Sequence, residues 1–228
     1  MEALPEEILL NIFVLLCDEI PPQAMLDHPL FSWREWYHHS LAFVPLMDYS
    51  DDIFFSSDGR TCQYGLGKPY FNISCDRPLW DGTVWFLFRG ITSSDTYRLG
   101  LMLELPDEWE VPGRRANGWG FCSFDRSFGH NGDWGPYSGP APPDGVPVGL
   151  THDRATNRMA IRLGLGGTPL IAGNRSGPFL LPTRDPQEGL VVVVTLIRPC
   201  SVTLLGLTHG DEQLPWWMQG VCETPSSR

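Results

Sequence analysis

The chain has 228 residues, 42% of them hydrophobic and 19% charged, enough apolar material for a sizeable core and too much for a disordered chain. Its formal net charge of -11 and the absence of a basic stripe exclude sequence-independent nucleic-acid binding, which needs clustered Lys and Arg against phosphates. With Gly 24 and Pro 21, turns are frequent and long surface helices few, so the composition points to a mainly β body.

In chain order, the first predicted element is a helix. Pro5 suits a first helical turn, Glu6 and Glu7 sit where the helix dipole favours negative charge, and Leu4, Ile8, Leu9, Ile12, Phe13 and Leu16 fall on one face. The apolar run from Ile8 to Leu16 is too short to span a bilayer, and the acidic residues before it oppose a signal peptide. Pro21-Pro22 end the helix, and QAMLDHPLFSWREWYHHSLAF allows one or two further short helices. Residues 1–46 therefore read as a small helical unit, residues 48–210 as a β-sandwich and residues 211–228 as a tail.

From Asp48 the texture changes to strand-length apolar runs: TVWFLF, TYRLGLMLEL, WGFCSF, VPVGLTHD, RMAIRLGL, LVVVVTLI and SVTLLGL. The separators RGITSSD, GHNGDWG, DRATN and GLGGTP carry the Gly, Asn, Asp and Pro of chain reversals. This pattern predicts a two-sheet antiparallel sandwich. Within GWGFCSFDRSFGHNGDWGPY, Trp119 and Phe121 alternate toward the core, Phe124 is expected to join them there, and GHNGDWG, residues 129 to 135, is expected to be the turn of a hairpin. In the tail, Trp216, Trp217 and Met218 would form a costly apolar patch if exposed, so the tail is expected to weld the two parts together.

The chemistry-bearing residues do not assemble into a recognisable catalytic set. Glu104, Asp107, Glu108 and Glu110 in LELPDEWE could supply the carboxylate pair of a carbohydrate-active sandwich, but Pro106 and Pro112 break the strand and place them on a solvated loop. His38 and His39 are adjacent and point apart, and His130, Asp133 and His152 lack a metal-ligand spacing, so no metal is expected. No phosphate-binding glycine loop, dinucleotide fingerprint or nucleophile elbow occurs, so no cofactor is implied. Cys17, Cys62, Cys75, Cys122, Cys200 and Cys222 include no C-x-x-C pair. An intracellular protein with reduced thiols is expected, cytoplasmic or nuclear, with the sequons at Asn72 and Asn174 incidental.

Two resemblances sharpen this reading. LPEEILLNIF, residues 4 to 13, resembles the opening of the F-box, and MLDHPLFSWREWYHHSL is similar to a shortened version of its later helices, with Trp33 or Trp36 in the place of the family tryptophan. The resemblance implies that Leu4, Pro5, Ile8, Leu9, Ile12 and Phe13 dock the adaptor that links F-box proteins to a cullin ubiquitin ligase. The body resembles a SPRY domain over residues 60 to 207, through GTVWFLFRG with DTYRLGLM, GWGFCSFDRSFGHNGDWGPY, GVPVGLTHDRATNRMAIRLGLGGTPL and GPFLLPTRDPQEGLVVVVTL in the family's order. Where that family has an aromatic residue and Asn-Gly in the returning strand, this chain has Arg162 and Gly164 to Gly167. The SPRY resemblance implies a bent sandwich of two antiparallel sheets that binds a partner protein through loops without catalysing a reaction. Trp109, Arg114, Arg115 and Arg198 fall in the corresponding contact loops. Together the two resemblances imply the substrate-recognition subunit of a ubiquitin ligase. The alternatives are a stand-alone interaction module and a carbohydrate-binding or carbohydrate-active sandwich.

Overall fold

The computed structural model describes residues 41–46, 53–65, 70–91, 97–106, 110–136, 142–163, 169–170, 179–180 and 189–208. The predicted helices within residues 1–40 and the tail from residue 209 lie outside them. So do Trp33, Trp36, Asn174, Cys17, Cys222 and the Trp216–Met218 run.

The strands are β1 (Phe43–Pro45), β2 (Ile53–Phe55), β3 (Thr61–Tyr64), β4 (Phe71–Cys75), β5 (Gly82–Arg89), β6 (Tyr97–Met102), β7 (Gly118–Cys122) and β8 (Ser127–His130). They continue with β9 (Asp133–Pro136), β10 (Pro147–Asp153), β11 (Arg158–Leu163), β12 (Pro169–Leu170), β13 (Phe179–Leu180), β14 (Val191–Leu196) and β15 (Cys200–Thr208). Two antiparallel sheets result. The first has the order β1-β4-β14-β6-β7-β8-β9 and the second β12-β11-β10-β5-β15-β3-β2, with β13 also on β11.

Each of the seven predicted runs contains a strand. β5 is buried from Gly82 to Phe88, because it lies between β10 and β15 and its β-branched and aromatic side chains are covered on both faces. The strands that composition did not flag are the ones whose pattern is ambiguous. β4, FNISC, is buried at every position, including the polar Asn72 and Ser74, so it shows no alternation. Phe43–Pro45, inside the predicted helical unit, is a strand paired with β4, because its backbone is needed to complete the edge of the first sheet.

The two sheets meet through aromatic pairs that cross between them. Phe43 stacks on Phe86, with ring centroids 6.3 Å apart, Tyr64 on Phe71 at 6.1 Å and Phe88 on Tyr97 at 3.7 Å. Leu99, Leu101, Trp119, Phe121, Val192 and Val194 fill the same side of the first sheet and are all buried. On the opposite side of the second sheet, a bulge between Leu204 and Gly206 brings Leu205 into a buried cluster with Trp85 and Leu87, and the Trp85 indole N–H donates to Thr208 Oγ1 at 2.8 Å.

The aromatic and glycine-rich stretch differs from its prediction in two ways. It is a three-stranded meander, β7-β8-β9, and only Asn131-Gly132 within GHNGDWG makes the reversal. Both residues have positive φ, 52° and 78°, as the tight turn that matches strand twist requires. Phe124 does not face the core. Counting by two from Phe121 reaches Ser123, which is buried, whereas Phe124 has the opposite parity and lies in the turn after Cys122, where it is 51% exposed.

The four described cysteines, Cys62, Cys75, Cys122 and Cys200, are free and buried. Burial pushes the Cys62 and Cys200 thiols up to about 12, which leaves them protonated and unreactive at neutral pH. Asn72 of the first sequon is wholly buried and hydrogen-bonded, so it is no glycosylation acceptor in the folded domain.

His152 on β10 is buried, and burial lowers its pKa from the ordinary 6.5, against the pull of Asp81 and Asp153. The unfolded chain therefore takes up this proton first as pH falls. The contribution is fully present above about pH 6.5 and is lost as pH drops through the folded value. Urea midpoints between pH 7.5 and 5 should fall with pH in the wild type and fall less in His152→Gln. Equal slopes in the two proteins would show that another group carries the dependence.

Candidate partner-binding surface

The side of the first sheet turned away from the core carries a row of glycines. Gly100 on β6 is paired with Gly120 on β7, which is paired with Gly129 on β8, and Gly129 is paired with Trp134 on β9. With no side chains in the row, the sheet has a shallow trench three strands wide. Two pieces fill it. The Trp134 ring lies against Gly129, where an added Cβ would sit 2.4 Å from ring atoms, and Pro112-Gly113 lie across Gly100 and Gly120.

Those last residues belong to a strap that leaves β6 after Met102 and returns at Gly118. Leu103 N–H donates to Asn117 C=O at 2.8 Å and closes the base of the strap. Its middle is held by a buried polar relay. Thr195 Oγ1 donates to Asn72 Oδ1 at 2.7 Å, and Asn72 Nδ2 donates to the Glu110 carbonyl at 2.9 Å. Buried amides are kept only when bonded in this way, so the relay accounts for two polar residues in an otherwise apolar part of the sheet. Past the crossing, Gly132 N–H donates to Gly113 C=O and Asn131 N–H to Arg115 C=O, which ties the strap to the β8–β9 turn.

The strap displays Arg114 and Arg115 in solvent. Arg115 Nε lies 3.7 Å from Glu110 Oε1; the arginine side chain is 66% exposed and the glutamate 4%. Glu110 thus departs from the solvated position expected of it, because the strap folds down onto the glycine row. Glu104 remains exposed beside Asn117, and Asp107, Glu108 and Trp109 lie outside the described residues.

Arg198 is also exposed, in the short connection between β14 and β15, but at the other end of the sheet. Met102 pairs with both Gly118 and Val191, whereas Tyr97 pairs with Leu196, so the two connections leave opposite ends of β6. A strand of that length separates them by roughly 17 Å. The structure therefore does not bring Arg114 and Arg115 together with Arg198. The adaptor-binding candidates Leu4, Pro5, Ile8, Leu9, Ile12 and Phe13 lie outside the described residues.

Near Arg198 the structure instead gathers residues that sequence reading passed over. Arg98, on the same side as the glycine row, holds its guanidinium 5.0 Å from the Trp134 ring centroid, a cation–π distance. Phe124 and Arg126 project from the β7–β8 turn at the same end. The alternating position of Arg98 in TYRLGLM indicates the outward side, but only sheet order shows which aromatic residue it meets. Among the described residues there is no group of three or more His, Cys, Asp or Glu placed to hold a metal ion.

No protein-family model matches the sequence, and no curated protein matches it either. Solved structures do match the fold. The TRIM65 PSpry domain superposes with a TM-score of 0.53 at 17% identity, covering 72% of this chain and 91% of that one. A human SPRY domain gives 0.51 at 17% identity over 68% and 94%, and the SPRY domain of human HERC1 gives 0.50 at 11% identity over 67% and 91%. The body is thus a SPRY-like β-sandwich, as its strand order and paired sheets already indicate.

Proposed function

We propose that this chain is a non-catalytic interaction adaptor, the substrate-recognition subunit of a cullin-type ubiquitin ligase. The SPRY-like sandwich holds a target protein and the F-box-like LPEEILLNIF segment engages the ligase adaptor through Leu4, Pro5, Ile8, Leu9, Ile12 and Phe13. The observation that carries the sandwich's part is its outward surface, where a pinned strap and fixed turns present arginines and aromatics, the residue types enriched at binding hot spots. Glu110, one of the four carboxylates considered for a carbohydrate-active sandwich, is buried against Arg115, which favours recognition over catalysis at that position. Free buried thiols suit an intracellular setting, cytoplasmic or nuclear.

Co-purification tests the ligase assignment directly. The wild type should retain the adaptor, and the pair Ile8→Asp with Ile12→Asp should lose it while near-ultraviolet circular dichroism of the sandwich stays unchanged. A wild-type chain that captures no adaptor would overturn the ligase assignment and favour the stand-alone interaction module.

A further inference from the structure

We infer that the end of the first sheet formed by Arg98, Phe124, Arg126, Trp134 and Arg198 is a docking surface for an acidic, extended segment of a partner protein. The inference rests on the interaction reading above and names the chemistry of what is bound.

Arg98 is the anchor. Its side chain is half-buried and its Nε is shielded from solvent, yet among the described residues that nitrogen has no hydrogen-bond partner. With one nitrogen shielded and the group set against a ring, and with no carboxylate paired to it among the described residues, this half-buried guanidinium has donors left for an anion. The cation–π contact with Trp134 positions the guanidinium, so a carboxylate arriving from outside meets a partner already in place.

Two more cations flank it. Arg98 pairs with Cys122 and Thr195 on its neighbouring strands. Arg126 lies in the turn just beyond Cys122, and Arg198 lies two residues beyond Leu196. Both are exposed, and among the described residues none of the three arginines forms an ion pair. The described carboxylates at this end are engaged elsewhere. Asp125 accepts from Ser127 N–H and Oγ, and Asp144 accepts from Ile91 N–H.

The arginines span neighbouring strands about 4.8 Å apart, a reach of roughly 14 Å from β14 to β8, which about four residues of an extended peptide would match. Phe124, 51% exposed in the same turn, offers an apolar contact beside the charges. On a chain of net charge -11 such a site admits a short acidic segment locally while the rest of the surface repels a long polyanion, which disfavours nucleic acid.

The test titrates the full chain with hexaglutamate, with hexaglutamine as control, and follows the Arg98 Nε–H and Trp134 indole signals by nuclear magnetic resonance. Hexaglutamate should move both signals saturably and hexaglutamine should not. Arg98→Gln should weaken binding about tenfold or more, the size expected when a charge-assisted bidentate bond is lost. Arg126→Gln and Arg198→Gln, both exposed and neutral to folding, should each weaken it about two- to fivefold. Absence of a saturable shift, an unchanged affinity in Arg126→Gln with Arg198→Gln, or stronger binding of a single-stranded oligonucleotide would overturn the assignment. A proximity-labelled partner set that depends on the sandwich yet is unchanged in the three-glutamine variant overturns the acidic docking surface alone. A wild type with no sandwich-dependent partners overturns the interaction reading itself.

Discussion

Replacing Phe121 by alanine should destabilise the sandwich by about 3–5 kcal/mol, whereas replacing Phe124, three residues on, should change stability by less than about 0.5 kcal/mol. Phe121 is fully buried, is paired with Leu99 across the strands and packs its ring on Phe128 with centroids 5.3 Å apart. Its removal takes away a large apolar side chain and leaves a cavity that a sheet paired on both sides cannot collapse into. Phe124 is exposed in the turn after β7, so truncating it opens no cavity. For a unit of this size the first change corresponds to a fall in Tm of roughly 6–20 °C. Equal effects at the two positions would mean that Phe124 lies in the core after all.

Gly120→Val should lift the strap off the sheet. A Cβ at this position would lie 2.4 Å from the Pro112 carbonyl oxygen and 2.7 Å from its carbon, and backbone atoms cannot rotate aside as a flexible side chain can. The expected cost is about 1–3 kcal/mol, as for overpacking. The more telling result is local. Hydrogen exchange should speed up at Gly132 N–H and Asn131 N–H, whose acceptors are Gly113 and Arg115 on the strap, while the β10–β5 ladder keeps its protection. Capture of any target through Arg114 and Arg115 should fall with it. Unchanged exchange at these two amides would show that the strap does not depend on the glycine row.

The candidate site was legible in pieces. Arg114, Arg115 and Arg198 could be assigned to connections between strands, because Gly, Pro and Asn around them mark where apolar runs stop. Sequence gave no means of telling that the connections leave opposite ends of the sheet, since that follows from β6 pairing with both β7 and a strand some ninety residues later. Arg98 and Trp134 were unremarkable for the same reason. Their contact crosses two strands and needs the intervening Gly120 and Gly129 in register.

By itself the sequence determined the class of fold and most of its strands. Short apolar runs with period two, rich in Val, Phe and Trp and separated by turn residues, commit a chain to strands through local sterics and side-chain burial alone. The tertiary structure decided the rest: that FNISC and FVP are strands, that HNGD is a turn between two more, that Phe124 faces water and that three glycines align into a trench filled by Trp134 and the strap. These features depend on strand order and register, which are set by pairings between distant segments such as β14 with β6 and β15 with β5. A period-two pattern tells which residues share a side of a strand. Only the neighbouring strands determine what that side meets.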